Sequence, residues 1–343
     1  MKKNHPFAHV NLTKKQWAAY GIGVLVAFLL PLVARSTFSQ HVLVMIVIWS
    51  IVGMGWNFLG GYAGQTSTGH AVFFGLGAYT CAVLFKFFNI TPWVGIIAGM
   101  LISVCVSILI GWPLLRLKGH YFAVASMAVC ECCRIIFVNI RTFGGATGLD
   151  FLNKRVNKWA AFQLEKTESY YVNLIFAVLV LALTIYLDRS KFGYYLRTIR
   201  ENQSAAESVG IDTTRYKLEA YMLSAAIVSL GGSLYAQYML YIDPSMLMTL
   251  KISLMILLVT VMGGIGTVIG PIIGAVILTL ISEYSRALMG GTGSGVDQII
   301  YGVLVILVVL YLPNGVMSLL PKLIRKNNQE ATDINTGGKE ANA

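Results

Sequence analysis

Charged side chains are scarce: Asp, Glu, Lys and Arg make up 12% of the 343 residues, against 56% hydrophobic residues and a mean hydropathy of +0.70. A soluble domain carries about 25% charged residues to cover its surface, so a water-soluble globule is excluded. Acidic residues are the scarcer sign, 15 against 26 basic ones. Inside the apolar runs this leaves Glu131 and Glu283 to hold a coupling ion, which weakens an ion-driven secondary transporter. The five cysteines (Cys81, Cys105, Cys130, Cys132 and Cys133) are odd in number and lie within apolar runs, so they build no extracellular disulfide framework. Along a helix, Cys130-Glu131-Cys132-Cys133 splays its side chains apart and reads as small packing residues, not a metal site. The sequence has no Gly-x-x-x-x-Gly-Lys-Ser/Thr phosphate loop, no metal-ligand histidine spacing, no paired carboxylates and no nucleophile elbow. The chain is therefore expected to be no enzyme, and to bind no metal or cofactor itself.

What is present is a series of apolar runs about twenty residues long, the length of a spanning helix rather than of a barrel strand. Within a bilayer such runs satisfy their backbone as helices. The expected fold is all-α: a polytopic transmembrane bundle of about ten spans. They fall at residues 17–34, 42–59, 71–88, 93–115, 120–140, 171–188, 218–240, 251–269, 270–288 and 297–312. The first run is too long for a signal-peptide core of about 7–15 residues and reads as an uncleaved span. Residues 1–320 form the transmembrane domain, and the polar stretch 321–343 reads as a disordered cytoplasmic tail.

A net charge of +11 would suggest nucleic acid in a soluble protein. Here basic residues cluster in short loops and set the topology. With both termini inside, sixteen of the 26 Lys and Arg fall on the inner side, so the termini are expected in the cytoplasm.

Two polar stretches interrupt the spans on the inner side. Residues 60–70 hold four glycines with Gln65, Thr66, Ser67, Thr68 and His70. Glycine lets a helix break, and broken helices line solute sites where protein or a water-filled cavity covers them. The plainer alternative is a polar turn at the membrane edge. The second stretch, 189–217, contains Leu196, Ile199, Ala206, Val209 and Gly210 near helical spacing, with charges on the other face. It reads as one short amphipathic helix ending at Gly210, a residue suited to a helix C-terminus. Its small residues Ser204-Ala205-Ala206 suit close packing in a protein groove better than insertion into lipid.

Ala205-Ala206-Glu207-Ser208-Val209-Gly210-Ile211 resembles the coupling segment of ABC importer permeases, and the chain resembles the branched-chain amino acid permease family of the LivM type. Further matches follow in order: Gly61-Tyr62-Ala63-Gly64-Gln65-Thr66-Ser67-Thr68-Gly69-His70, Leu115-Arg116-Leu117-Lys118-Gly119-His120-Tyr121, Gly231-Gly232-Ser233-Leu234-Tyr235-Ala236, and Met262-Gly263-Gly264-Ile265-Gly266. They cover residues 42–312. One departure is Phe143, where such sequences often carry Thr before Gly-Gly. The resemblance implies a bacterial inner-membrane permease subunit without its own ATPase. Its implied partners are a second homologous permease of the LivH type, two cytoplasmic ATP-binding subunits and an extracytoplasmic solute-binding protein. The implied solute is a branched-chain or related amino acid, with urea or short amides as the alternative.

The candidate ATPase-coupling residues are Arg200, Glu201, Ala205, Ala206, Glu207 and Gly210. For the substrate pathway they are Tyr62, Gln65, Ser67, Thr68, Tyr235 and Gln237, because Tyr235-Ala236-Gln237 echoes Tyr62-Ala63-Gly64-Gln65 on the opposite side, as an inverted repeat requires. Gly266, Gly270 and Gly274 form a small-residue row for helix packing. Glu131 and Arg134, three apart within a span, are expected to form an ion pair facing the bundle, since an unpaired charge at that depth is costly.

Overall fold

The structure, a computed structural model, describes residues 14–34, 36–117, 119–150, 164–288, 302–303, 306 and 315–318. Helices α1 (Lys14–Val33), α2 (Thr37–Asn57), α3 (Ala71–Phe88), α4 (Pro92–Leu114), α5 (His120–Asn139) and α6 (Lys166–Asp188) are followed by a short pair, α7 (Lys191–Glu201) and α8 (Gln203–Ser208). The remainder is α9 (Thr213–Met239), α10 (Pro244–Leu247), α11 (Leu250–Gly263) and α12 (Gly270–Leu288). The one departure from all-α among the described residues is a pair of antiparallel two-residue strands, β1 (Leu149–Asp150) and β2 (Tyr241–Ile242).

Local chemistry sets most of these boundaries. Ser36 caps α2, its hydroxyl accepting from Ser39 N at 3.1 Å, so α2 starts ahead of the expected residue 42. Glu165 and Glu168 form a capping box that starts α6 at Lys166, ahead of residue 171. The expected span 251–269 is shorter: α11 stops at Gly263 because Gly264 and Gly266 take φ of 133° and 75°.

Among the described residues seven helices are long and apolar enough to cross a membrane, beginning with Thr37–Tyr62 and ending with Pro244–Gly263. The expected ten crossings add 17–34, 270–288 and 297–312. The last lies almost wholly outside the described residues, and the tail 321–343 wholly so.

The connections sort to two ends of the bundle. One end holds residues 60–70, the α4–α5 turn, the elbow α7–α8 and the α11–α12 loop, joined by Arg200 to Gly61, Thr68 to Ala123 and Asn57 to Thr267. The other end joins Tyr238 to His41, Lys166 to Thr37 and β1 to β2. Successive spans therefore run in alternating directions.

At the centre α2 crosses α9, and both are largely buried. Around that crossing the packing repeats. α3 and α4 pack on α9 and on each other, as α11 and α12 pack on α2 and on each other. The corresponding helices run in opposite directions, which is an inverted repeat over these six helices. Close approach comes from glycine. A Cβ at Gly77 would meet the Ser229 carbonyl, one at Gly232 the Phe74 carbonyl, and one at Gly263 the Gly270 carbonyl. Trp56, Phe58, Tyr62, Phe73, Phe74, Tyr79 and Phe122 fill the core.

Candidate functional site

Residues 58–70 form a closed break. After Asn57 the helix widens into a π turn at Phe58–Tyr62, where a Cβ at Gly60 would strike the Trp56 ring and one at Gly61 the Asn57 amide. Single π turns inside helices mark functional sites. The chain then leaves the helix, with Gly64 at φ 70°. A helix start leaves its first amides without intrahelical partners. Here a hydroxyl takes the first of them, Ala71 N donating to Ser253 Oγ (3.1 Å), and hydroxyls also take two amides just ahead of the helix, Thr68 N donating to Ser126 Oγ (3.1 Å) and Gly69 N to Ser67 Oγ (3.4 Å). Carbonyls are used as well, since Trp56 Nε1 donates to Ser67 O at 2.9 Å and Gln65 N to Leu59 O at 3.0 Å. His70 shares a 2.8 Å hydrogen bond with Ser224 Oγ in the core. Ser67 and Tyr62 are buried, and Gln65 and Thr68 half-buried. In this conformation the break offers solute few free groups.

Tyr235 and Gln237 lie at the other end, as the inverted echo requires. Tyr235 packs on Phe74 with ring centroids 5.3 Å apart, and Gln237 Nε2 donates to Cys81 Sγ at 3.0 Å. Gln237 also lines a cavity of about 560 Å³ at this end with Thr37, Gln40, His41 and Lys166. The six pathway candidates thus form two clusters at opposite ends of the bundle.

The elbow is two helices where the sequence suggested one. Asn202 is extended and its side chain caps α8, accepting from Ala205 N at 3.1 Å, which ends α7 and restarts the chain. Gly210, at φ 85°, terminates α8, and Asp212 caps α9. Glu207 accepts from Gln203 Nε2 (2.9 Å) and Thr213 Oγ1 (2.7 Å), while Lys217 Nζ donates to Gln203 Oε1 (2.7 Å). These bonds staple α8 to α9.

Among the coupling candidates, Arg200, Glu201, Ala205, Glu207 and Gly210 present exposed surface. Ala206 does not: it is fully buried beneath the elbow, because the i+4 face of so short a helix must cover the start of α9. Val209, absent from that candidate set, is 73% exposed, an apolar side chain on an otherwise polar surface. Its signal lay in its place beside the terminating glycine.

Arg200 reaches inward. Its Nη1 donates to the Gly61 carbonyl at 2.8 Å and its aliphatic stem lies against Gly64. One turn earlier, Arg197 pairs with Asp188 and sits 5.5 Å over the Tyr62 ring. The same break is tied to the α11–α12 loop by Asn57, fully buried, whose Nδ2 donates to Thr267 O and whose Oδ1 accepts from Gly266 N, both at 2.9 Å. A Cβ at Gly266 would strike the Arg200 guanidinium. Gly266 is therefore a loop residue at this junction; of the expected glycine row, Gly270 and Gly274 alone belong to the packing face of α12 against α11. The elbow, the π turn and the hairpin loop meet at Arg200. No motif identified Asn57, which sits in an apolar run.

Glu131 and Arg134 form the expected ion pair, Arg134 Nε lying 3.1 and 3.0 Å from the two carboxylate oxygens. It does not face the bundle. The Glu131 and Arg134 side chains are 50% and 27% exposed on the outer side of α5, because Phe122, Ser126 and Cys130 occupy the inward face.

A family model described as branched-chain amino acid transport system / permease component matches residues 39–312. The high-affinity branched-chain amino acid transport system permease protein LivM of Salmonella typhimurium is 28% identical over 322 residues, covering 85% of this chain and 73% of the relative. LivM of Escherichia coli (strain K12) is also 28% identical, covering 86% and 73%. The permease protein LivH of Salmonella typhimurium is 22% identical, covering 78% and 91%. Among solved structures, PsaBC from Streptococcus pneumoniae in complex with Fab has a TM-score of 0.45 at 12% identity, covering 85% and 95%. With the family model spanning most of its length, the chain belongs to the branched-chain amino acid transport system permease component family.

Proposed function

We propose that the chain is the membrane-spanning permease subunit of an ATP-driven importer of branched-chain amino acids. It sits in the bacterial inner membrane with about ten spans and cytoplasmic termini. It works beside a second related permease, two ATP-binding subunits that hold and hydrolyse the nucleotide, and an extracytoplasmic solute-binding protein. The observation that carries this reading is the Arg200 junction, where an exposed elbow outside the spans is wired to a helix break within them. A channel or an ion-coupled carrier has no use for such a lever.

The mechanism follows from that wiring. Closure of the ATP-binding pair displaces α7–α8. Arg200 moves the Gly61 carbonyl and the π turn with it, and Asn57 passes the shift to the α11–α12 loop. The inner break at 60–70, including Gln65, serves as the inner gate; Tyr235 and Gln237 stand at the outer one. Packed interfaces switch between discrete arrangements rather than bending continuously, so the bundle alternates between mouths.

Docking rests on the outward faces of Glu201, Ala205 and Val209. Val209→Asp puts a charge into an apolar contact, and the ATP-binding subunit is expected to copurify at about a tenth of its normal ratio or less. Retained stoichiometry would move the docking surface elsewhere. The reading as a whole is tested by reconstituting the permease pair with its ATP-binding and receptor subunits in proteoliposomes. Leucine uptake should require ATP inside and receptor outside. Accumulation by the purified chain alone on an ion gradient would overturn it.

A further inference from the structure

Several helices turn apolar faces away from the bundle, α1 with Ile22, Leu25 and Leu32 among them, and they differ in one respect. On α4, Ile97, Leu101 and Leu109 are exposed, and α4 carries no charge. On α6, Ile175, Leu179 and Leu183 are exposed, and its charges stand only at its two ends. Such faces suit lipid. The exposed face of α5 runs Tyr121, Val124, Met127, Glu131, Ile135 and Asn139, spaced three or four apart from the inner end to the outer. Glu131 stands roughly 17 Å along the helix from its inner end. This puts a carboxylate and a guanidinium near mid-depth. Of the seven candidate spans among the described residues α5 is also the least buried, at 17% of its apolar window. Ionisable side chains at that depth face protein or water rather than lipid.

We propose that this face of α5 lines the solute passage against the second permease, and that Glu131 and Arg134 together recognise the zwitterionic head of an α-amino acid. The proposal rests on the importer reading above. The Arg134 fork that now grips Glu131 presents parallel N–H donors suited to a carboxylate, and the Glu131 carboxylate accepts an ammonium. An entering amino acid exchanges one internal pair for two intermolecular ones. Every charge stays partnered throughout, as ionisable side chains at this depth require. Met127 and Ile135, one turn to either side, give an aliphatic side chain an apolar surface. With no solute present the pair closes on itself and offers a passing ion no unpaired charge.

The test uses the reconstituted importer. Glu131→Gln and Arg134→Gln should each lower leucine uptake at least tenfold while assembly and receptor-independent ATP hydrolysis persist. The exchanged variant Glu131→Arg/Arg134→Glu rebuilds a pair in the reverse order and should stay defective; wild-type uptake from it would make the pair structural and overturn the proposal. A second readout uses native cysteines: Cys132 lies on this face of α5, and Cys105 on α4, both exposed. A membrane-impermeant thiol reagent should modify Cys132 but not Cys105, more slowly when receptor, ATP and leucine are present. Equal inertness of both cysteines would return the α5 face to lipid. Absence of ATP-driven uptake by the unmutated complex would remove the importer reading and this site with it.

Discussion

Arg200→Ala is expected to separate ATP hydrolysis from transport. The complex should assemble and hydrolyse ATP near its normal rate, while solute uptake falls about tenfold or more, the scale of a lost charge-assisted hydrogen bond. The guanidinium links α7 to the π-turn backbone at 2.8 Å, beside the Arg197 contact with the Tyr62 ring, and Gly266 of the hairpin loop lies beside it. Alanine keeps the helix but frees the Gly61 carbonyl, so the elbow swings without moving the break. Arg200→Lys should be intermediate: an ammonium can reach the carbonyl, but it lacks the planar fork that also fits against Gly266. Uptake and hydrolysis measured on the same proteoliposomes decide the matter. Parallel loss of both would mean failed assembly, and unchanged uptake would remove Arg200 from the transmission path.

The largest effect on stability is expected from Gly232→Val. Gly232 lies in the middle of α9, and a Cβ there would strike the Phe74 carbonyl of α3. The obstacle is backbone inside a helix, so no rotamer change relieves it. The two helices must separate, and Gly77, whose own Cβ would meet the Ser229 carbonyl, would lose its contact too. Overpacking at such a site costs about 3 kcal/mol, with lost yield and a lower melting temperature in detergent. Gly23→Val is the matched control: Gly23 is exposed on α1 with nothing within 4 Å of a new Cβ. It should melt like the parent. Equal tolerance of both substitutions would show that the α3–α9 approach does not limit stability.

Much of this was legible in the residues. Run length and charge scarcity gave the helical class, and the glycines at 60–70 gave the break. Gly210 gave the end of the elbow. What stayed hidden depended on neighbours distant in sequence. Nothing near Ala206 says that the start of α9 lies over it, and nothing near Glu131 says which way α5 faces. Asn57 draws its role from Gly266 and Thr267, more than two hundred residues away. The division of the elbow at Asn202 was local and readable in principle: an asparagine three residues before Ala205 is a helix cap. The amphipathic pattern running across it concealed the signal. Gly266 was misplaced because its spacing to Gly270 and Gly274 matches a helix row, whereas its positive φ puts it in the preceding loop.

The crossing of α2 and α9 lets one lever serve two mouths. The elbow α7–α8 interrupts only the second half of the molecule, between α6 and α9; the matching connection in the first half is the short turn ahead of α2. A rocking motion about the crossing point carries the inner ends of the equivalent helices one way and the outer ends the other. In the importer proposed above, a push at one end alone would then reach both ends, as on a seesaw.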